Sequence, residues 1–177
     1  MHKRTIFPIA ILALVVICTT LLWLSQNNSS QAPDISFRII DGRRIDLKTL
    51  QGQPVLVTFW ATTCKVCAIE MPQLMALYDE LASQGLEIIG VAMAYDPPNR
   101  VLKMSKQKQI PYPIALDIDG NLARAFGNVL YTPTSFLIAP DGTIVKHKTG
   151  EMNINKLKED IITMLAGQVQ KINLQSS

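Results

Sequence analysis

Soft metal ligands are scarce in this chain, which has three cysteines and two histidines among 177 residues. Tetrahedral zinc needs four ligands, and if Cys64 and Cys67 formed one half-site, only His2, His147 and Cys18 would remain to complete it. Two of those three lie in or before an apolar amino-terminal run, so no metal centre is expected. Basic runs interleaved with aromatics are missing as well. With Lys3 and Arg4 set aside, 15 basic residues face 14 acidic ones, a balance that provides no electrostatic footprint for nucleic acid. No internal repeat or low-complexity segment is present, and the length suits one domain with an appendage, not two separate cores.

What the chain does have begins at its amino terminus. Lys3 and Arg4 precede an uncharged, mostly apolar run from Thr5 to Leu24, and a helix rising ~1.5 Å per residue over that run spans a ~30 Å bilayer core. A cleaved signal peptide is the competing reading. Its apolar region would be only ~7–15 residues and would end in a small-x-small site, for which only Ser30 and Ala32 offer a pair. Cys18 lies inside the run and reads as an inert buried thiol. The cations sit on one side, and Gln26 to Gln31 on the other side carries no charge. The positive-inside rule therefore predicts a single-pass anchor with a cytoplasmic amino terminus and a periplasmic or otherwise extracytoplasmic domain. Trp23 fits an interfacial aromatic. The predicted organisation is an anchor over 1–26, a polar linker over 27–33, a domain over 34–167 and a polar, frayed tail over 168–177.

Within the domain, Ile35 to Ile40 and Arg44 to Leu47 flank Asp41-Gly42, a hairpin signal. The apolar run Val55 to Trp60 predicts a buried central strand. Cys67, Met71, Leu74, Leu77, Tyr78 and Leu81 recur at helical steps after it, with Pro72 inside and a kink expected there. Leu86 to Met93 predicts a second buried strand, Pro97 to Gln109 a lysine-rich surface helix, Ile114 to Leu116 a short strand, and Asn121 to Phe126 a brief helix. Thr134 to Ala139 and Thr143 to His147 form a hairpin at Asp141-Gly142, and Asn153 to Ala166 a closing amphipathic helix. Together these elements predict an α/β fold with a mixed central sheet covered by helices on both faces.

Cys64 and Cys67 stand where the central strand passes into the helix. Unpaired N–H groups and the helix dipole at that point favour an anion, and such surroundings lower a thiol pKa from ~8.5 to between ~3.5 and ~7.5. Cys67, three positions on, can attack a mixed disulfide formed on Cys64. A structural disulfide is the competing reading, but so short a loop gains little stabilisation from closure, whereas an oxidising compartment suits a redox pair. Met71, Met75, Met93 and Met104 read as core filler and not as copper ligands. His147 reads as a surface residue without a role.

The segments Phe59-Trp60-Ala61, Cys64-Lys65-Val66-Cys67, Glu70-Met71-Pro72, Pro113 to Gly120, and Thr132 to Ile138 followed by Asp141-Gly142 resemble the TlpA/ResA branch of the thioredoxin superfamily. Members of that branch are membrane-tethered thiol-disulfide oxidoreductases working outside the cytoplasm. The resemblance covers roughly Pro33 to Gly167 and implies a thioredoxin fold. It also implies a redox-active Cys64–Cys67 disulfide with no separate cofactor, and a cis Pro133, a form taken by only ~5–6% of X-Pro bonds in folded proteins. Thr132 would present its backbone to an extended polypeptide. Trp60, Thr63, Lys65, Val66, Thr132 and Pro133 are thus the candidate substrate-contacting residues. The implied partners are exported protein thiols or disulfides and a membrane electron-donor protein, with reduction of apocytochrome c during cytochrome c maturation one implied task.

Two departures from the family stand out. Most relatives carry Trp immediately before the first cysteine, where this chain has Thr63. Cytoplasmic thioredoxins carry a buried Asp on the central strand, where this chain has Thr58, which cannot titrate. Glu70, three residues after Cys67, becomes the nearest candidate for proton transfer, its competing reading being a solvated helix glutamate. Lys65 is either a cation that favours the thiolate or a solvated lysine. A disulfide-forming oxidase is the alternative direction, set by reduction potential. A thiol peroxidase would need a proline in a PxxxTxxC pattern that Phe59 to Cys64 lacks, and a copper-delivery module would use CxxxC with a distal His.

Overall fold

A computed structural model describes residues 31–175. The expected membrane-spanning run over 5–24 lies outside them, and among the described residues no helix is long and apolar enough to cross a membrane. The elements are β1 (Ser36–Arg38), β2 (Arg44–Asp46), a 3-10 turn (Leu47–Leu50), β3 (Val55–Trp60), α1 (Lys65–Leu81), β4 (Glu87–Ala92), α2 (Pro98–Lys108), β5 (Ile114–Leu116), α3 (Asn121–Ala125), β6 (Thr134–Ile138), β7 (Ile144–Thr149) and α4 (Ile154–Gln175).

The main sheet has the order β5-β4-β3-β6-β7, and β1 and β2 form a separate antiparallel hairpin. β3 pairs in parallel with β4, which pairs in parallel with β5, while β6 runs antiparallel to both β3 and β7. All six residues of β3 are buried, as befits a central strand covered on both faces, whose sequence is apolar without alternation. Its side chains still divide by parity. Leu56 and Trp60 join the core built with Met71, Leu74 and Leu77 of α1 and Leu157 and Ile161 of α4. Val55, Val57 and Phe59 join the opposite core with Phe37 of β1, Leu122 and Ala123 of α3, and Phe126 just after it.

Local chemistry explains where elements start and stop. Gly85, at φ 109°, takes the left-handed conformation that ends the short 3-10 turn (Ala82–Gln84) following α1. Gly142, at φ 87°, turns β6 into β7, with the Asp141 carboxylate accepting the Thr143 N–H at 2.9 Å. Asn153 caps α4 by accepting the Lys156 N–H at 3.0 Å. α1 runs through Pro72 as one helix, and Pro72 lies on its exposed side. One sequence expectation meets a different outcome. α4 continues to Gln175, across the stretch from 168 expected to fray.

Candidate active site

β3 and β4 are parallel and end at the same edge of the molecule, and antiparallel β6 begins there. In open α/β sheets ligands gather outside the carboxyl ends of parallel strands. The pairing of Phe59 with Thr134 brings Pro133 beside the last residue of β3, and the Thr132–Pro133 bond is cis. The Met93 N–H donates to the Trp60 carbonyl at 3.0 Å, and the Gly150 N–H to the Pro133 carbonyl at 2.8 Å. Three segments are thereby fixed around the start of α1.

Cys64 and Cys67 form a disulfide, with their Cα atoms 5.3 Å apart. Cys64 is the N-cap of α1, its backbone extended at φ −82° and ψ 108°, and its Sγ accepts the Cys67 N–H at 3.1 Å. An N-cap side chain normally offers oxygen to such an orphan donor. Here sulfur takes that place, so once the disulfide opens, the same N–H and the helix dipole stand ready to hold a thiolate. Cys64 is half-buried and Cys67 only 4% exposed. The thiol open to a partner is therefore Cys64, with Cys67 beneath it.

The remaining sequence-derived candidates divide into rim and floor. Thr63, Lys65 and Val66 are exposed, Thr132 is half-buried and Pro133 buried. Trp60 is only 4% exposed, so it supports the loop from within the core and does not present a surface to a partner. Its Nε1 has no hydrogen-bond partner. Thr58 is buried opposite Ser135, whose Oγ donates to Thr58 Oγ1 at 2.9 Å. A neutral hydroxyl pair thus fills the central-strand position held by Asp in cytoplasmic thioredoxins.

Glu70 is not the solvated glutamate of the competing reading. It is 2% exposed, and its Oε1 accepts the Met152 N–H at 2.9 Å. Burial pushes its carboxyl pKa up, the Met152 hydrogen bond works against that shift, and the Glu151 charge adds to it. Tyr112 is also buried, and desolvation, reinforced by the Glu70 charge, raises its phenol. A buried carboxyl therefore lies one helical turn from Cys67, on the inward side of α1.

Sequence reasoning missed two residues at this edge. Asp96 is 5% exposed and accepts two hydrogen bonds from Thr62. Tyr95 is 59% exposed, and its hydroxyl lies 3.5 Å from Thr132 Oγ1. Both stand in the loop after β4, and the signal that would have found them is topological: a strand parallel to β3 must end beside the CxxC. With Val66, Ile69, Leu130 and Tyr131, also exposed, Tyr95 contributes to the apolar residues open to solvent in the segments that meet here.

A half-buried, N-capping thiol with a more deeply buried partner can exchange disulfides with another molecule, and known proteins agree with that chemistry. Residues 29–147 match the AhpC/TSA family. The thiol-disulfide oxidoreductase ResA of Bacillus thuringiensis subsp. konkukian is 35% identical over 129 residues, 73% of this chain and 73% of that protein. The ResA of Halalkalibacterium halodurans is 32% identical over 169 residues, 90% of this chain and 95% of that protein. Among solved structures, a thioredoxin-family thiol:disulfide interchange protein from Chlorobium tepidum superposes with a TM-score of 0.70 at 27% identity, covering 77% of this chain and 96% of that one. The chain belongs to the AhpC/TSA family and, with its Cys64–Cys67 pair on a thioredoxin fold, is a thiol-disulfide oxidoreductase of the ResA-like kind.

Proposed function

We propose that this enzyme works as a membrane-tethered reductase of disulfides in exported proteins. Its amino terminus lies in the cytoplasm, one helix crosses the cell membrane, and the catalytic domain stands in the periplasm or an equivalent extracytoplasmic space. The observation that carries the chemistry is the Cys67 N–H aimed at Cys64 Sγ at 3.1 Å. The uncharged run from Thr5 to Leu24 behind Lys3 and Arg4 supports the placement.

In the reduced pair, the Cys64 thiolate attacks a sulfur of the substrate disulfide and displaces one substrate thiol, leaving a mixed disulfide. Cys67, deprotonated as it attacks, then displaces the second substrate thiol and closes the Cys64–Cys67 disulfide. Two electrons pass to the substrate, whose two thiols take up the protons. The pair itself carries the electrons, with no separate cofactor. A dithiol on a membrane electron-donor protein reopens the disulfide. Thr132 offers backbone to an extended substrate segment beside Pro133, with Thr63, Lys65 and Val66 facing it. Proteins whose cysteine pairs must be reduced before another group is attached, such as apocytochrome c awaiting haem, are the substrate class this reading favours.

Direction is decided by the reduction potential of the pair relative to its compartment. The test combines that potential, measured against glutathione, with the in vivo redox state trapped by acid and alkylation. A reductase shows a pair kept reduced in cells and oxidised when the membrane donor is removed. A pair that stays oxidised at steady state, with a potential above that of its compartment, would make the enzyme a disulfide-forming oxidase instead.

A further inference from the structure

The loop that delivers Cys64 is held from outside its own helix. Asp96 Oδ2 accepts the Thr62 N–H at 2.5 Å, and Oδ1 accepts from Thr62 Oγ1 at 2.6 Å. Both carboxylate oxygens are acceptors for one residue, which makes the contact a two-point clamp of the charge-assisted kind. The clamped residue precedes Cys64 by two positions, and the Cys64 N–H closes the turn by donating to the Ala61 carbonyl at 3.0 Å. Tyr95, the neighbour of Asp96, reaches Thr132 on the cis-proline loop. One dipeptide past the end of β4 therefore ties both loops of the site together.

We infer that Asp96 is a positioning residue for disulfide exchange, one that sets the reactivity of Cys64 through Thr62. Two residues of chain span at most ~7 Å, and the Cys64 N–H folds the turn back onto Ala61, so the Asp96 carboxylate acts on Cys64 from a distance comparable to the Debye length of ~10 Å, through a partly buried loop. A negative charge at that range opposes formation of the thiolate. The two Thr62 donors partly neutralise this charge while they fix the backbone that presents Cys64 as N-cap. Loss of the carboxylate charge therefore favours the thiolate. Loss of the Thr62 hydroxyl leaves the charge less compensated and disfavours it. Both changes weaken the same clamp, so they lower stability alike while moving reactivity in opposite directions. A purely structural contact has no such signature.

The inference rests on Cys64 being the attacking thiol, and the experiment separates the two ideas by identifying which cysteine reacts. Full-length protein in detergent is reduced and alkylated with iodoacetamide at pH 7, the labelled cysteine is assigned by mass spectrometry, and urea midpoints are measured alongside. Because the rate follows the thiolate fraction, Asp96→Asn is expected to speed alkylation of Cys64 about three- to tenfold and Thr62→Val to slow it about two- to fivefold. The double variant should follow Asp96→Asn, since Thr62 acts through the carboxylate, and Thr62→Ser should match wild type. Rates that move in the same direction in both single variants, or that stay within twofold of wild type while the urea midpoints fall, would overturn the role. Should Asp96→Asn fail to fold, the Thr62 pair decides: slowing in Thr62→Val with rescue in Thr62→Ser supports the clamp, and equal rates in the two overturn it. Labelling of Cys67 ahead of Cys64 would instead count against the assignment of the attacking thiol.

Discussion

Gly90 lies against the indole of Trp60, where a Cβ built on its backbone would stand 3.2 Å from Trp60 Nε1, 3.2 Å from Tyr112 Cε2 and 2.7 Å from Ile114 Cδ1. The glycine lets β4 and the last residue of β3 pack with three large side chains between sheet and helix layer. Ile114 Cδ1 is a flexible end, but the two rings are not.

Gly90→Ala is therefore expected to lower stability by about 1–3 kcal/mol, the usual cost of overpacking a dense core. Urea denaturation of the oxidised protein measures it. A midpoint equal to wild type would mean that Ile114 and the rings give way without cost, and that the close approach at Gly90 has no energetic consequence.

The two cysteines differ in exposure, Cys64 being half-buried and Cys67 almost fully buried, and only Cys64 receives the helix-start N–H. Cys67→Ser should accumulate mixed disulfides between Cys64 and substrate proteins, visible on non-reducing gels and lost on adding dithiothreitol. Cys64→Ser should trap few. Equal trapping by the two variants contradicts the division of roles.

Topology has its own test, independent of the chemistry. In the proposed topology, where Lys3 and Arg4 hold the amino terminus inside, a reporter fused after Ser177 that is active only in the cytoplasm should be silent, and one active only outside should work. Cytoplasmic activity of the fusion would reverse the proposed orientation.

The fold was legible because its signals are local. The unbroken apolar run at Val55 to Trp60, the helical spacing from Cys67 to Leu81 and the two Asp-Gly turns each reflect a periodicity or a backbone preference carried within a few residues. The redox pair was legible for the same reason: a CxxC at a strand–helix junction places one sulfur at an N-cap wherever the rest of the chain goes. Asp96 was not, because only the tertiary pairing of β3 with β4 brings it to Thr62. In sequence it reads as the residue before a Pro-Pro helix start. The burial of Glu70 depends likewise on a backbone N–H from Met152, 82 residues further along the chain. Helical spacing could place Glu70 one turn from Cys67 but could not say what would cover it.

That covering gives Glu70 two measurable consequences. Its pKa is raised above the ordinary 4.5, chiefly by burial, so the folded protein holds this proton more tightly than the unfolded chain. For such a group stability is greatest below the unfolded pKa and falls as pH climbs through the folded one. Glu70→Gln keeps the shape, and its side-chain oxygen can still accept the Met152 N–H, but it has no proton to lose. In urea unfolding of the oxidised protein, the variant should therefore gain stability relative to wild type as pH rises through and above the ordinary carboxylate range. The second consequence is chemical. The ionised carboxylate one turn from Cys67 opposes a thiolate, so thiol titration in Glu70→Gln, followed by thiolate absorbance or alkylation rate, should move to lower pH. Disulfide exchange with a protein substrate should nevertheless slow near pH 7, because the candidate group for proton exchange with Cys67 is gone. A general acid or base contributes ~10²–10⁴-fold, and an indirect route through water at Glu70 would give less. A stability difference that does not change with pH would show that Glu70 titrates alike in the folded and unfolded chains. Thiol titration and exchange curves that superimpose on those of wild type would leave Glu70 as a buried structural carboxyl with no part in proton transfer.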